Sequence, residues 1–179
     1  MEIRHQLETK DYIQFNLFQI QYSENLRKRL KIQRLAISFL FAGLAFLAYH
    51  FLSHFSLTVT GLFLLLSIFW YSYFPTFSKN QVIKSTEKTI ASGHLPTLFD
   101  EVMLKIDGRG VEEWTSQGKH LNHWKEIQSI DFRNDYIYFF TEKTGVIILP
   151  KRTLVNREKE KLKNYIDEYY QGNLHKNYE

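Results

Sequence analysis

The sequence predicts an α+β protein: a hairpin of two transmembrane helices, residues 35–78, ahead of a small antiparallel β-sheet domain, residues 98–171, that ends in one C-terminal helix. Three observations predict it. Leu35 through Ser78 contains no Asp, Glu, Lys or Arg. From Phe99 to Leu149 apolar and polar side chains alternate, and turn dipeptides interrupt the alternation, as in short half-buried strands. From Asn156 to about Tyr170 the spacing becomes helical, with Leu162, Ile166 and Tyr169 on one side.

A chain of 179 residues has room for such a hairpin and one domain of roughly 80 to 90 residues, and not for two full-sized soluble domains. Its mean hydropathy of −0.32 hides the membrane segment, because the 23 basic and 19 acidic residues are confined to the flanks. With no cysteine, a disulfide scaffold and a thiolate metal site are both excluded. Leu35–Tyr49 and Leu57–Phe74 each approach the length a helix needs to cross a hydrocarbon core of about 30 Å. The reversal between them is expected in the polar cluster of His50, Ser53, His54, Ser56, Thr58 and Thr60.

Arg27, Lys28, Arg29, Lys31 and Arg34 precede the first span, Lys79, Lys84 and Lys88 follow the second, and the loop between has no basic residue but histidine. The positive-inside rule then puts both termini in the cytoplasm, on a multi-pass inner-membrane protein. Arg29, Arg34 and Lys79 are expected at the inner headgroups, with Trp70, Tyr71 and Tyr73 as the aromatic belt. More than thirty mostly polar residues before the first run argue against a cleaved signal peptide. The chain is also too small to bury two uniformly apolar helices inside soluble protein. Ser38, Ala42, Gly43, Ala45 and Gly61 suit close packing of the hairpin, with a homodimer through the same small face as the alternative.

Residues 1–34 read as a strand over Glu2–Glu8 and a helix capped by Thr9, apolar at Ile13, Leu17 and Ile20. That helix is expected either along the inner headgroups or packed on the C-terminal domain. Residues 79–97 read as a linker helix stopped by Gly93 and Pro96. Strands follow at Phe99–Ile106, Val111–Thr115, Leu121–Trp124, Ser129–Phe132, Tyr136–Phe140 and Val146–Leu149, with Asp107-Gly108 as a hairpin signal. The tail, 172–179, is expected to be loose.

The order of these features resembles the YcxB-like proteins of bacteria. The match is best at His123-Trp124-Lys125-Glu126-Ile127-Gln128-Ser129-Ile130, then at Asp135-Tyr136-Ile137-Tyr138-Phe139 and Ile147-Ile148-Leu149-Pro150-Lys151-Arg152. The resemblance implies a pleckstrin-homology-like C-terminal fold, with no family catalytic residues to carry over. Trp124, Ile127 and Ile130 themselves read as core packing rather than ligand contacts.

Little points to catalysis. His50 and His54 have the i, i+4 spacing of a zinc pair but no third ligand nearby, and His5, His94, His120, His123 and His175 fall on the other side of the membrane. His120 and His123 are an odd number apart on a strand and face opposite ways. Gly108-Arg109-Gly110 lacks the context of a phosphate loop, and no G-x-S-x-G elbow occurs. The expectation is no enzyme, no metal and no cofactor. Lys151, Arg152 and Arg157, with Lys159, Lys161 and Lys163, are the candidates for meeting anionic headgroups or a partner, although Glu158, Glu160, Asp167 and Glu168 dilute them. A net charge of +4 needs no nucleic acid to explain it. The chain is expected to be a non-catalytic membrane protein whose cytoplasmic domain binds a protein partner or inner-leaflet lipid. The alternative is an immunity-type protein that neutralises a toxin at the membrane.

Overall fold

The computed structural model describes residues 1–51, 56–93, 97–133, 135–142 and 145–176. The chain divides into two compact units, Met1–Tyr12 with Ile90–Glu179, and Ile13–Thr89. The first twelve residues thus belong with the strands.

In the first unit, β1 (Glu2–Gln6) pairs antiparallel with β2 (Glu101–Asp107), Glu2 opposite Lys105 and Gln6 opposite Glu101. β3 (Gly110–Thr115) and β4 (Gly118–His123) complete a sheet in the order β1-β2-β3-β4. β5 (Ile127–Phe132), β6 (Tyr136–Thr141), β7 (Val146–Pro150) and β8 (Asn173–Lys176) form a second sheet in the order β7-β6-β5-β8. Strand alternation sends Leu104, Ile106 and Val111 of the first sheet and Ile130, Phe139 and Leu149 of the second into one core, all fully buried. The C-terminal helix spans Asn156–Tyr169 and adds Leu162 and Ile166, one turn apart on its apolar face.

Trp124, Ile127 and Ile130 lie in that core, as expected. Trp124 sits in a 3₁₀ turn between the sheets and donates its indole N–H to the Asp107 carbonyl at 3.0 Å. Gly110, opposite Asp107 at the start of β3, is required by close approach: a Cβ there would lie 2.1 Å from the Asn122 carbonyl oxygen.

The tail departs from expectation. Asn173–Lys176 is β8, parallel to β5, with Ser129 opposite Asn173. β5 would otherwise present an open edge opposite β6, and the chain leaving the C-terminal helix covers it and satisfies its backbone groups.

The second unit holds most of α1 (Thr9–Tyr22), α2 (Glu24–Phe51) and nearly all of α3 (Ser56–Ala91). The linker helix expected at 79–97 is not a separate element, because α3 runs unbroken through Pro75 to Ala91. An interior proline removes one intrahelical hydrogen bond, and a helix of membrane length tolerates it where a neighbouring helix re-satisfies the freed carbonyl. α2 and α3 are antiparallel: the Ser67 hydroxyl donates to the Ser38 carbonyl at 2.9 Å, and that of Thr60 to the Ala45 carbonyl at 3.4 Å. Ala45 and Ala48 are buried, whereas a Cβ on Gly43 or Gly61 would meet nothing within 4 Å. These two glycines therefore lie off the helix-helix seam they were expected to pack. Ser53 and His54, expected in the reversal, lie outside the described residues.

Candidate functional site

α2 and α3 have 28 and 36 residues, about 42 and 54 Å at 1.5 Å per residue, so both exceed a hydrocarbon core of about 30 Å. Their apolar side chains point outward: Phe39, Phe46, Leu65 and Ile68 are each more than 60% exposed. Surfaces of that kind need an apolar surround. Both helices are long and apolar enough to cross a membrane.

Near one end of this pair the expected interface residues meet. The Arg34 guanidinium lies 3.7 Å from the centroid of the Tyr71 ring, and its Nε donates to the Tyr71 carbonyl at 2.7 Å. That carbonyl is four residues before Pro75, which has no N–H to donate. Arg34 supplies the missing donor. Trp70 packs against Phe74 and Phe77, and Tyr73 stacks on Phe69. Arg29 and Lys79 are exposed.

The basic candidates on the β-rich unit separate into three environments. Arg152 is engaged by Asp11, a residue of the first turn of α1 that is wholly buried. Two guanidinium nitrogens donate to the two carboxylate oxygens at 2.6 Å each, the Tyr136 hydroxyl donates to Oδ1 at 2.9 Å, and the Glu8 amide donates to Oδ2 at 2.7 Å. Burial alone would raise the Asp11 pKa; the hydrogen bonds from Arg152, Glu8 and Tyr136 more than offset it and hold the carboxyl below its ordinary value. Burial and the Asp11 carboxylate push the Tyr136 hydroxyl up to about 12, so it remains a donor at neutral pH. This cluster ties the turn ahead of α1 to β6 and to the 3₁₀ turn after β7. The sequence reading did not find it: Asp11 looks like an ordinary acid at a helix start, and nothing local signals a partner 141 positions away.

Arg157 is exposed on the first turn of the C-terminal helix. Lys151 belongs elsewhere. It joins Lys159 and Lys163 around a cavity of about 320 Å³ whose apolar lining includes Phe132, Ile137, Leu162 and Ile166. Burial lowers the Lys151 pKa, nearby Asp135 pulls it upward, and the charge of Lys159 lowers it further. Lys159 and Lys163 are i, i+4 neighbours on one helix, a like-charge spacing that costs an isolated helix a few tenths of a kcal/mol. Among the described residues none of the three lysines forms an ion pair.

Among the described residues the histidines do not converge. His50 lies against Phe46 and Tyr49, His5 is buried in β1, His120 is exposed and His123 half-buried, while His54, His94 and the side chain of His175 lie outside the described residues. Among the described residues no three metal-ligating side chains come together.

Fold and site together define a class: an α+β protein in which two membrane-length helices are inserted into the connection between paired strands of a β-rich domain. Residues 106–166 match the YcxB-like protein family, from the end of β2 through most of the C-terminal helix. The matched stretch contains Trp124 and all the cavity residues but one, Asp167, and it is the family that the motifs above resemble. No curated protein and no solved structure matches the chain.

Proposed function

We propose that this chain is a non-catalytic bacterial inner-membrane protein, both termini cytoplasmic, whose pleckstrin-homology-like domain is a binding module directed at inner-leaflet lipid. The observation that carries this reading is the pairing of β1 with β2. Gln6 and Glu101 are opposite each other, and everything between them, both long helices included, leaves and re-enters the same end of one sheet. Strands that share hydrogen bonds lie on one side of a bilayer, so an even number of crossings is needed between them, and two helices of membrane length supply it. The basic flanks favour the cytoplasm as that side. Of the two partner classes, protein and lipid, lipid is favoured by the lysines around the apolar cavity.

The natural chain lacks cysteine, so a single thiol reports topology. With Lys125→Cys or Gln171→Cys, a membrane-impermeant maleimide is expected to label inverted vesicles and not intact cells; the reverse pattern would overturn the topology. For the ligand, amide exchange in the helix 156–169 is measured on the full chain in nanodiscs of phosphatidylcholine with and without phosphatidylglycerol. About threefold or greater slowing with the anionic lipid is expected. Equal exchange rejects the lipid reading.

A further inference from the structure

We infer that the cavity between the second sheet and the C-terminal helix is a binding site for a single acyl chain carrying an anionic head, the chain lying on the apolar lining and the head among the three lysines. The inference rests on the reading above for the source of its ligand, an amphiphile drawn from the inner leaflet.

The chemistry of the lining divides in two. Phe132 at the end of β5, Ile137 in β6, and Leu162 and Ile166 on the helix give one continuous apolar surface, with no histidine, serine or amide among the lining residues. That surface offers nothing to orient a polar ligand and suits a hydrocarbon chain. Lys159 and Lys163 are on the same face of the helix as Leu162 and Ile166, and Lys151 approaches from the 3₁₀ turn after β7. Lysine stems extend an apolar wall while their ammonium groups stay at its polar edge, which is the arrangement an amphiphile needs. Asp167 is the one acid in the lining, so three positive charges face one negative charge. Like charges brought together, with no ion pair among the described residues, favour an anion between them.

Volume decides how much ligand enters. About 320 Å³ is at the lower end for small-molecule sites, enough for part of one chain and not for a two-chain phospholipid. The fitting class is therefore a fatty acid or a lysophospholipid. A cationic or neutral amphiphile of the same length would meet the apolar floor and be opposed, or left unheld, at the rim.

The test uses the full chain in phosphatidylcholine nanodiscs with diazirine-bearing palmitic acid, diazirine-bearing lysophosphatidic acid and a diazirine-bearing palmitylamine, with adducts mapped by peptide mass spectrometry. The acid probes are expected to label Phe132, Ile137 or residues 159–167, and the relative yields of the two acids tell a carboxylate from a phosphate head. The palmitylamine is expected to label only α2 and α3. Lys159→Glu with Lys163→Glu changes two exposed side chains and is expected to lower cavity labelling about tenfold while labelling of α2 and α3 stays level, an internal control for folding and insertion. Cavity peptides without adducts, adducts indifferent to the double substitution, or equal labelling by the amine would each overturn the inference. If anionic lipid still slows exchange in the helix while cavity adducts are absent, the leaflet contact stands and the acyl site falls. Adducts found on a domain that proves to be outside the cell would leave the site standing and remove its proposed source.

Discussion

Asp11 receives four hydrogen bonds, two of them from Arg152, and has no exposed surface. A carboxylate so placed depends on its partners. Arg152→Met is expected to cost about 2 to 3 kcal/mol, below the range for a fully buried pair because the guanidinium is partly exposed. Thermal unfolding of the β-rich unit measures it. Asp11→Asn combined with Arg152→Met should cost less than the two single changes summed, and strict additivity would show that the pair is not coupled. The lowered Asp11 pKa also sets a sign with pH. Its stabilisation is complete above the unfolded carboxyl pKa of about 3.9 and disappears as pH falls through the lower folded value. Buried His5, whose pKa burial lowers, adds a separate loss that begins as pH falls below about 6.5, so the melting temperature should decline gently from there and more steeply below about pH 4, with Asp11→Asn removing part of the steeper fall. Gly110 offers a second test at this scale. Gly110→Ala drives a methyl group into the Asn122 carbonyl, so β3 and β4 must separate there, with an expected loss of about 2 kcal/mol or more. A neutral result would mean that the register of this hairpin is softer than its geometry implies.

At the scale of elements, Pro75 and Arg34 form a compensating pair across two helices. Arg34→Leu leaves the Tyr71 carbonyl with neither its intrahelical donor nor the guanidinium, for an expected cost of about 1 to 2 kcal/mol to the helix pair. Pro75→Ala returns an N–H to that carbonyl, so Arg34→Leu in a Pro75→Ala background should lose only the guanidinium–Tyr71 ring contact, about 0.5 to 1 kcal/mol, and cost less than in the Pro75 background. Unfolding of the reconstituted protein by steric trapping measures both, and equal costs in the two backgrounds would refute the compensation. The strands and this pair differ in how far they could be read in advance. Alternation around Val102, Leu104 and Ile106 and the Asp107-Gly108 turn are local, and β2 and β3 appear where they predict. The donor to the carbonyl that Pro75 leaves free lies 37 positions away, and β8 depends on an open edge of β5, so neither has a signature within its own residues. The cavity was half legible. Lys151, Lys159 and Lys163 stood out as charges, but their convergence on Phe132 and Ile137 needs the helix to be seated on the sheet.

For the whole molecule, the order of features was readable and their grouping was not. A strand at Glu2 followed at once by helices looks like part of an N-terminal module, yet β1 is an edge strand of the C-terminal domain, with residues 7–100 intervening before its partner begins. This grouping dictates where the β-rich unit can be cut. A chain beginning at Leu98 loses all of β1, with its five paired positions along β2, and it loses Ile3, whose burial is worth about 1.5 to 3 kcal/mol. It also loses Asp11, leaving Arg152 and Tyr136 without their acceptor. Set against a domain stability of about 5 to 15 kcal/mol, these losses are comparable to the whole. A chain in which residues 13–89 are replaced by a flexible Gly/Ser linker keeps both segments of the first unit and sheds the apolar helices. It is expected to be soluble, with a cooperative melt and slow exchange across β1 and β2, whereas the chain from Leu98 should melt without cooperativity or aggregate. If the two behave alike, β1 is an accessory to the sheet and the two-point attachment of the helices loses its physical basis.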